Sequence, residues 1–143
     1  MKSNTISEQA SRPLFSVELD IHWGDMDALG HLNNVFYYRY MEEARIQWMQ
    51  SFGERIRSAE SGPVLYNSSC TYLKPVVYPE KLRIDLFSGE VKRSSFDLLY
   101  AIYASSSTIL VARAQTKIVW VDYKKMKSVS LPSIVKSNIE SKP

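Results

Sequence analysis

Trp23-Gly24-Asp25-Met26-Asp27-Ala28-Leu29-Gly30-His31-Leu32-Asn33-Asn34 stands between two segments of opposite periodicity. On its N-terminal side Phe15, Val17, Leu19, Ile21 and Trp23 alternate with Ser16, Glu18, Asp20 and His22, the period of a half-buried strand. On its C-terminal side Tyr37, Met41, Ala44 and Trp48 fall four, three and four apart, the spacing of one helix face. The stretch between holds two carboxylates, two glycines, a histidine and an Asn pair suited to capping. A turn, a carboxylate and a helix start in one place can hold a carbonyl group and attack it.

Working outward, the first strand is expected over about Phe15 to Trp23. The helix is expected from about Asn34 to Ser51, stopping near Phe52-Gly53, where glycine can take the left-handed position. Arg39–Glu43 and Glu42–Arg45 are spaced to decorate its outer face. The rest reads as β. Strands are expected over Pro63 to Leu73, Lys81 to Ser88, Phe96 to Ala104 and Thr108 to Tyr123. Pro75 and Pro79 interrupt, and turns are expected at Ser94-Ser95, Ser105-Ser106-Ser107 and Lys124 to Ser128. Leu131-Pro132-Ser133-Ile134 either opens a short terminal helix or frays. One long helix followed by a run of mainly antiparallel strands makes an α+β fold, the sheet wrapping the helix. Residues 1–13 are polar and are expected to form a flexible tail, with 14–143 a single domain.

Size and composition narrow the function. At 143 residues the chain buries a real core but has little material for a deep, self-contained site, so completion by a second copy is expected. Residues 1–60 carry six Lys/Arg against nine Asp/Glu, whereas 61–143 carry twelve against six. That basic half can attract an anionic ligand, and Arg83, Lys92, Arg93, Arg113 and Lys117 are candidates to meet phosphates. Nucleic acid is not the expected partner, because no basic run or nucleic-acid motif is present. A lone Cys70 allows no intrachain disulfide, and two histidines without metal spacing give no zinc signature. With no signal-peptide pattern and no membrane-length apolar run, the expected location is the cytoplasm, with no membrane partner.

Asp25-Met26-Asp27-Ala28-Leu29-Gly30-His31-Leu32-Asn33-Asn34, with Tyr37, Tyr40 and Glu42-Glu43-Ala44-Arg45 after it, resembles the N-terminal signature of the hotdog-fold acyl-CoA thioesterases of the 4-hydroxybenzoyl-CoA thioesterase type. Tyr72-Leu73-Lys74-Pro75-Val76 and Thr116-Lys117-Ile118-Val119-Trp120-Val121 resemble later strands of that family, so the likeness spans about residues 14–132. It departs at Pro79-Glu80, where relatives often have Gly-Asp. The resemblance implies an antiparallel sheet around the helix, a homodimer or homotetramer paired edge to edge, and active sites between subunits. It implies an acyl-CoA substrate, small or medium in chain or aromatic, and no cofactor beyond the coenzyme A of the substrate. By position Asp27 matches the catalytic carboxylate, and Asn34 the helix start whose N–H groups face the thioester carbonyl.

The residue chemistry agrees with those roles. The first amides of a helix lack partners and sit at the positive end of its dipole, so they can stabilise an oxyanion. Removing one donor of this kind typically costs about 3–4 kcal/mol of transition-state stabilisation. Asn33 or Asn34 can cap that terminus. Gly30 lets backbone pass close to substrate, and Gly30, Asn33, Val35 and Tyr37 are the expected substrate contacts. Asp27 can act as nucleophile or as general base, and His31 can orient it, bind substrate or satisfy loop carbonyls. Asp25 is expected to be structural, His22 a surface residue and Cys70 a small packed hydrophobe. Phe36, Tyr37 and Tyr40 either shape an acyl tunnel or fill the core. The alternative reading is a non-catalytic module that binds acyl-CoA or acyl carrier protein in the same cleft. A hotdog dehydratase ranks lower, since His31 precedes the helix.

Overall fold

A computed structural model describes residues 12–53, 58 and 60–140. Most of the expected tail therefore lies outside the described residues. Strand β1 (Phe15–Asp20) leads through a short 3-10 turn, Trp23–Asp25, and a tight loop into helix α1 (Asn34–Gln50). Then come β2 (Ser61–Tyr72), β3 (Lys81–Val91), β4 (Ser95–Ala104), β5 (Ile109–Asp122), the two-residue β6 (Lys127–Ser128) and helix α2 (Ser133–Glu140). The strands form one antiparallel sheet in the order β1-β3-β4-β5-β2, with β6 added to the end of β5. The sheet wraps α1, the hotdog arrangement that the resemblance implies.

Alternation decides which face meets the helix. Leu82, Ile84 and Leu86 of β3, Phe96, Leu98, Tyr100 and Ile102 of β4, and Ile118 and Trp120 of β5 point inward with the Tyr37, Met41, Ala44 and Trp48 stripe. Each large side chain buried this way is worth about 1.5–3 kcal/mol. Central β4 is covered on both faces, because Leu99 and Ala101 on its outer face pack with Phe87, Tyr103 and Leu110. Gly53 takes φ +85 just past the C-terminus of α1, as its position there predicts. Among the described residues no helix is long and apolar enough to cross a membrane.

Several boundaries differ from expectation. β1 stops at Asp20, two residues before His22 and three before Trp23, because Ile21 N–H turns to the Glu80 carbonyl and the chain coils into the 3-10 turn. β3 runs on through Glu90 to Val91, with a bulge between Ser88 and Val91 opposite β4, and the turn shifts to Lys92–Ser94. The C-terminal segment is a true helix, anchored by buried Val135 and Ile139. Arg45 is not on the outer face of α1. It follows Met41 by four residues, so helical geometry turns it inward, where it donates to the Tyr100 hydroxyl at 3.2 Å. Tyr100 in turn shares a 2.8 Å bond with Thr116, and burial pushes its phenol pKa up against the opposing pull of Arg45. Glu43, expected beside Arg39, instead accepts from Gln47 at 2.7 Å.

Candidate active site

The loop before α1 closes on itself. A Met26–Leu32 antiparallel bridge brings its two ends together. Inside it, Asp27 N–H donates to the His31 carbonyl at 2.7 Å and Gly30 N–H to the Asp27 carbonyl at 3.0 Å. Gly30 sits at φ +85, which an L side chain resists, so the turn requires glycine there. Outside the loop, Leu32 N–H reaches the Val76 carbonyl at 2.7 Å, and Asn33 N–H the Asp25 carbonyl at 2.9 Å. The segment is thus tied both to the helix start and to the connection that follows β2.

The two acids of this loop have different environments. Asp25 is turned inward, its Oδ2 accepting from the Tyr40 hydroxyl and lying 3.7 Å from His22 Nδ1. It is structural, as expected, but through a helix tyrosine rather than through loop backbone. Burial first, and the neighbouring Asp25 second, push the Tyr40 phenol up to about 12. Asp27 keeps its carboxylate at the surface of the loop, with Oδ1 accepting from Leu29 N–H at 2.9 Å and His31 N–H at 3.1 Å. The His31 amide is the main reason its pKa is held below the usual 3.8, partial desolvation opposing and the Leu29 amide assisting. Both bonds go to Oδ1, which leaves Oδ2 as the oxygen able to face a substrate. His31 therefore orients Asp27, and it does so through its backbone.

Asn33 is the N-cap of α1. Its Oδ1 accepts from Val35 N–H at 3.1 Å, and its carbonyl from Phe36 N–H at 2.9 Å. Those bonds consume the second and third helix amides. The Asn34 N–H, the first, has no hydrogen-bond partner among the described residues. The Asn34 carbonyl accepts from the Tyr72 hydroxyl at 3.2 Å, which fastens the end of β2 to the first residue of α1. The Tyr72 ring meets that of Tyr37 edge-on, with centroids 5.0 Å apart.

Asp27, His31, Asn34 and Tyr37 line one cavity of about 360 Å³ together with Tyr72 and Lys74. Of the other expected contacts, Gly30 lines a neighbouring cavity instead, and Asn33 and Val35 line neither. Val35 is exposed, and Asn33 acts through the cap. Tyr72 and Lys74 belong to the site although the sequence pattern marked their segment only as a strand ending in proline. The basic residues expected at phosphates are otherwise engaged in several cases. Arg83 pairs with Asp85 at 3.3 Å and lies over the Tyr103 ring, Lys117 pairs with Asp97 at 3.0 Å, and Arg93 donates to Ser128 and Ser130. Arg83 and Lys117 alternate onto the outer face of the sheet, away from the helix. Cys70 is half-buried beside this site, and burial pushes its thiol up to about 11, as for a packed hydrophobe. Among the described residues no three His, Cys, Asp or Glu side chains gather as a metal-ligating group.

A closed carboxylate loop is thus set against a helix start whose first amide has no partner among the described residues, inside an antiparallel sheet. The sequence profile of the thioesterase-like superfamily matches residues 21–139. The chain belongs to that superfamily. A protein of Aquifex aeolicus, provisionally named an esterase, is 33% identical over 118 residues, covering 80% of this chain and 89% of its own length. A Pseudomonas aeruginosa structure provisionally named a thioesterase superposes with a TM-score of 0.84 at 33% identity, covering 90% of this chain and 99% of that one. A 1,4-dihydroxy-2-naphthoyl-CoA thioesterase from Synechocystis superposes with a TM-score of 0.81 over 87% of this chain and 94% of that one. Its 22% identity speaks to the fold alone. Membership of this superfamily makes the chain a thioester hydrolase by class.

Proposed function

We propose that this protein hydrolyses acyl-CoA thioesters to the free acid and coenzyme A, with Asp27 as the reacting carboxylate and the Asn34 N–H as the oxyanion donor. One observation carries the reading: Asp27 and Asn34, the first residue of α1, whose N–H has no partner among the described residues, line the same cavity. A carbonyl oxygen bonded to that amide leaves its carbon within reach of Asp27 Oδ2 or of a water held there. In the nucleophilic route Oδ2 adds to the carbonyl carbon, the C–S bond breaks, and the thiolate leaves and takes up a proton. Water then cleaves the resulting anhydride. In the general-base route Asp27 takes a proton from water as its oxygen adds to the carbon, and the thiolate leaves from the tetrahedral intermediate. Both routes need only an ionised carboxylate and a fixed dipole, so the proposed reaction uses no cofactor.

Coenzyme A as the thiol is supported by the names of similar proteins, among them the acyl-CoA thioesterase YbgC of Haemophilus influenzae and a gentisyl-coenzyme A thioesterase. The reading includes a homodimer or homotetramer in the cytoplasm. β2 is a twelve-residue strand at the edge of the sheet, with Leu65, Tyr66 and Tyr72 exposed along it. A long edge of that kind is a template for pairing with a second copy, and it ends at the cavity through Tyr72. The test is a free-thiol assay across short, medium and aromatic CoA esters, run on the parent protein and on Asp27→Asn. A neutral amide can still accept the Leu29 and His31 N–H bonds, so the variant should fold and assemble normally. Turnover should fall by about a thousandfold or more. Stoichiometric binding without turnover by the parent would favour the binding-module reading, and undiminished turnover by Asp27→Asn would remove Asp27 from the chemistry.

A further inference from the structure

Asp27 is the wall between two cavities. The second, also about 360 Å³, is lined by Trp23, Met26, Val77 and Tyr78 over the backbone of Gly24 and Gly30. Apart from Asp27 it carries no charged side chain. Met26 packs in part against the main core, but the other apolar side chains are open. Trp23 is 75% exposed, and Val77, Tyr78 and the adjoining Leu29 are exposed as well. The other two tryptophans, Trp48 and Trp120, are 2% and 1% exposed. A contiguous apolar patch left open beside a reactive carboxylate marks a surface that something else covers.

The chemistry of a thioester says what that is. Two arms diverge from its carbonyl carbon, the acyl group and the thiol carrier. A carbonyl held between Asp27 and the Asn34 N–H sends only one of them into the first cavity. That cavity offers donors from Lys74 and Asn34, whereas the Trp23 cavity offers chiefly hydrocarbon and ring faces. Resting on the hydrolase reading above, we propose that the Trp23–Met26–Val77–Tyr78 cavity is a second substrate subsite, and that it takes an uncharged apolar segment next to the thioester. The acyl chain and the dimethyl-bearing stretch of the pantetheine arm share that chemistry. Trp23 is the residue that closes over it.

Because Trp23 is the one exposed tryptophan, acrylamide quenching of intrinsic fluorescence reports on this cavity directly. The probes are free CoA and a series of S-alkyl-CoA thioethers, which lack the carbonyl and cannot be hydrolysed. At concentrations that inhibit turnover competitively, the quenching constant of the exposed component should fall at least twofold. A fall with free CoA alone assigns the cavity to the pantetheine arm. A fall that requires the alkyl chain and grows with its length assigns it to the acyl group. Trp23→Ala should raise KM at least tenfold while kcat stays within threefold. Val77→Asp, a change at an exposed position, should do the same by placing a charge in the cavity. Competitive inhibition with unchanged quenching, a Trp23 already shielded in the free protein, or unaltered KM in both variants would overturn the subsite. No thiol release from any ester by the parent protein would instead sink the hydrolase reading itself.

Discussion

Asn33 serves the stability of α1 and the charge balance at its start through one side chain, and substitutions there should separate the two. Its Oδ1 caps the helix through the 3.1 Å bond to Val35 N–H, and the adjacent Asn34, proposed to donate its N–H to the oxyanion, lines the cavity. Asn33→Ala removes the cap, a loss of about 1 kcal/mol. With an unfolding entropy of roughly 2.1 cal/mol/K per residue over 143 residues, that lowers Tm by about 3 °C. Asn33→Ser and Asn33→Asp both retain a capping oxygen and should melt within about 1 °C of the parent. They differ in charge. A carboxylate capping Val35 would stand about 5–6 Å from an oxyanion on the Asn34 N–H, by backbone dimensions. At an effective dielectric between those of a protein surface and of water, the repulsion is about 1–3 kcal/mol, or roughly 5- to 150-fold in rate. Calorimetry and a thiol-release assay on the same preparations read both quantities. Asn33→Ser should keep kcat within threefold, whereas Asn33→Asp should lose at least fivefold at unchanged Tm. Full kcat in Asn33→Asp would refute the placement of the developing charge at this helix start.

Three further outcomes follow from the geometry. Because the His31 and Leu29 amides lower the Asp27 pKa, the carboxylate stays ionised on acidification. The kcat/KM profile should be flat from neutral pH down to about pH 5, with its acid limb below 3.8. An inflection in the imidazole range would instead assign the proton to a histidine. Tyr72→Phe deletes the hydroxyl on the Asn34 carbonyl but keeps the ring against Tyr37. It should lower kcat by about three- to tenfold with KM within twofold and Tm reduced by less than about 2 °C, and steady-state kinetics with calorimetry would check it. Lys117→Ala strips the partner from buried Asp97. It should cost about 2–3 kcal/mol by urea unfolding, less than for a wholly buried pair because Lys117 is partly solvated, and Asp97→Asn in the same background should recover most of it.

What the sequence made legible was what repeats. The Tyr37, Met41, Ala44 and Trp48 stripe and the alternation of Leu82, Ile84 and Leu86 are periodic, so the buried faces of α1 and β3 could be read without coordinates. The capping Asn pair and Gly53 gave the ends of the helix, because caps are local chemistry. Arg45 was misread because its charge and its spacing to Glu42 suggested a surface pair. Its helical phase behind Met41 carries the better information, and Tyr100 of β4, itself bonded to Thr116 of β5, accepts the buried polar end. Tyr72 and Lys74 were out of reach for another reason. They lie 38 and 40 residues from Asn34, and only the docking of β2 beside the start of α1 makes them neighbours. Trp23 looked like the last residue of a strand, and the 3-10 turn frees it to line a cavity.

The contrast between Asp25 and Asp27 explains how so short a segment would carry the proposed chemistry on an exposed loop. Two residues apart, they share a residue type but not a role. Asp25 gives its side chain to Tyr40 and its carbonyl to Asn33 N–H, locking the loop to both the body and the start of α1. Asp27 gives one oxygen to the loop's own amides, and the other takes no hydrogen bond among the described residues. On the proposed mechanism, rigidity and reactivity are thus divided between neighbours. The anchoring acid is satisfied by a buried phenol, and the acid proposed to react is held ionised by amides that need no side chain. An enzyme whose reacting group must not reorganise during the reaction gains from such a division, since the dipoles that fix Asp27 are already in place before substrate arrives. Tyr40→Phe, which leaves Asp25 without its helix partner, should therefore reach catalysis through Asp27 although it touches neither cavity. Thiol release should slow while the ground-state affinity for a thioether analogue stays unchanged. Equal losses in affinity and rate would mean that Asp25 shapes the binding surface rather than the placement of Asp27.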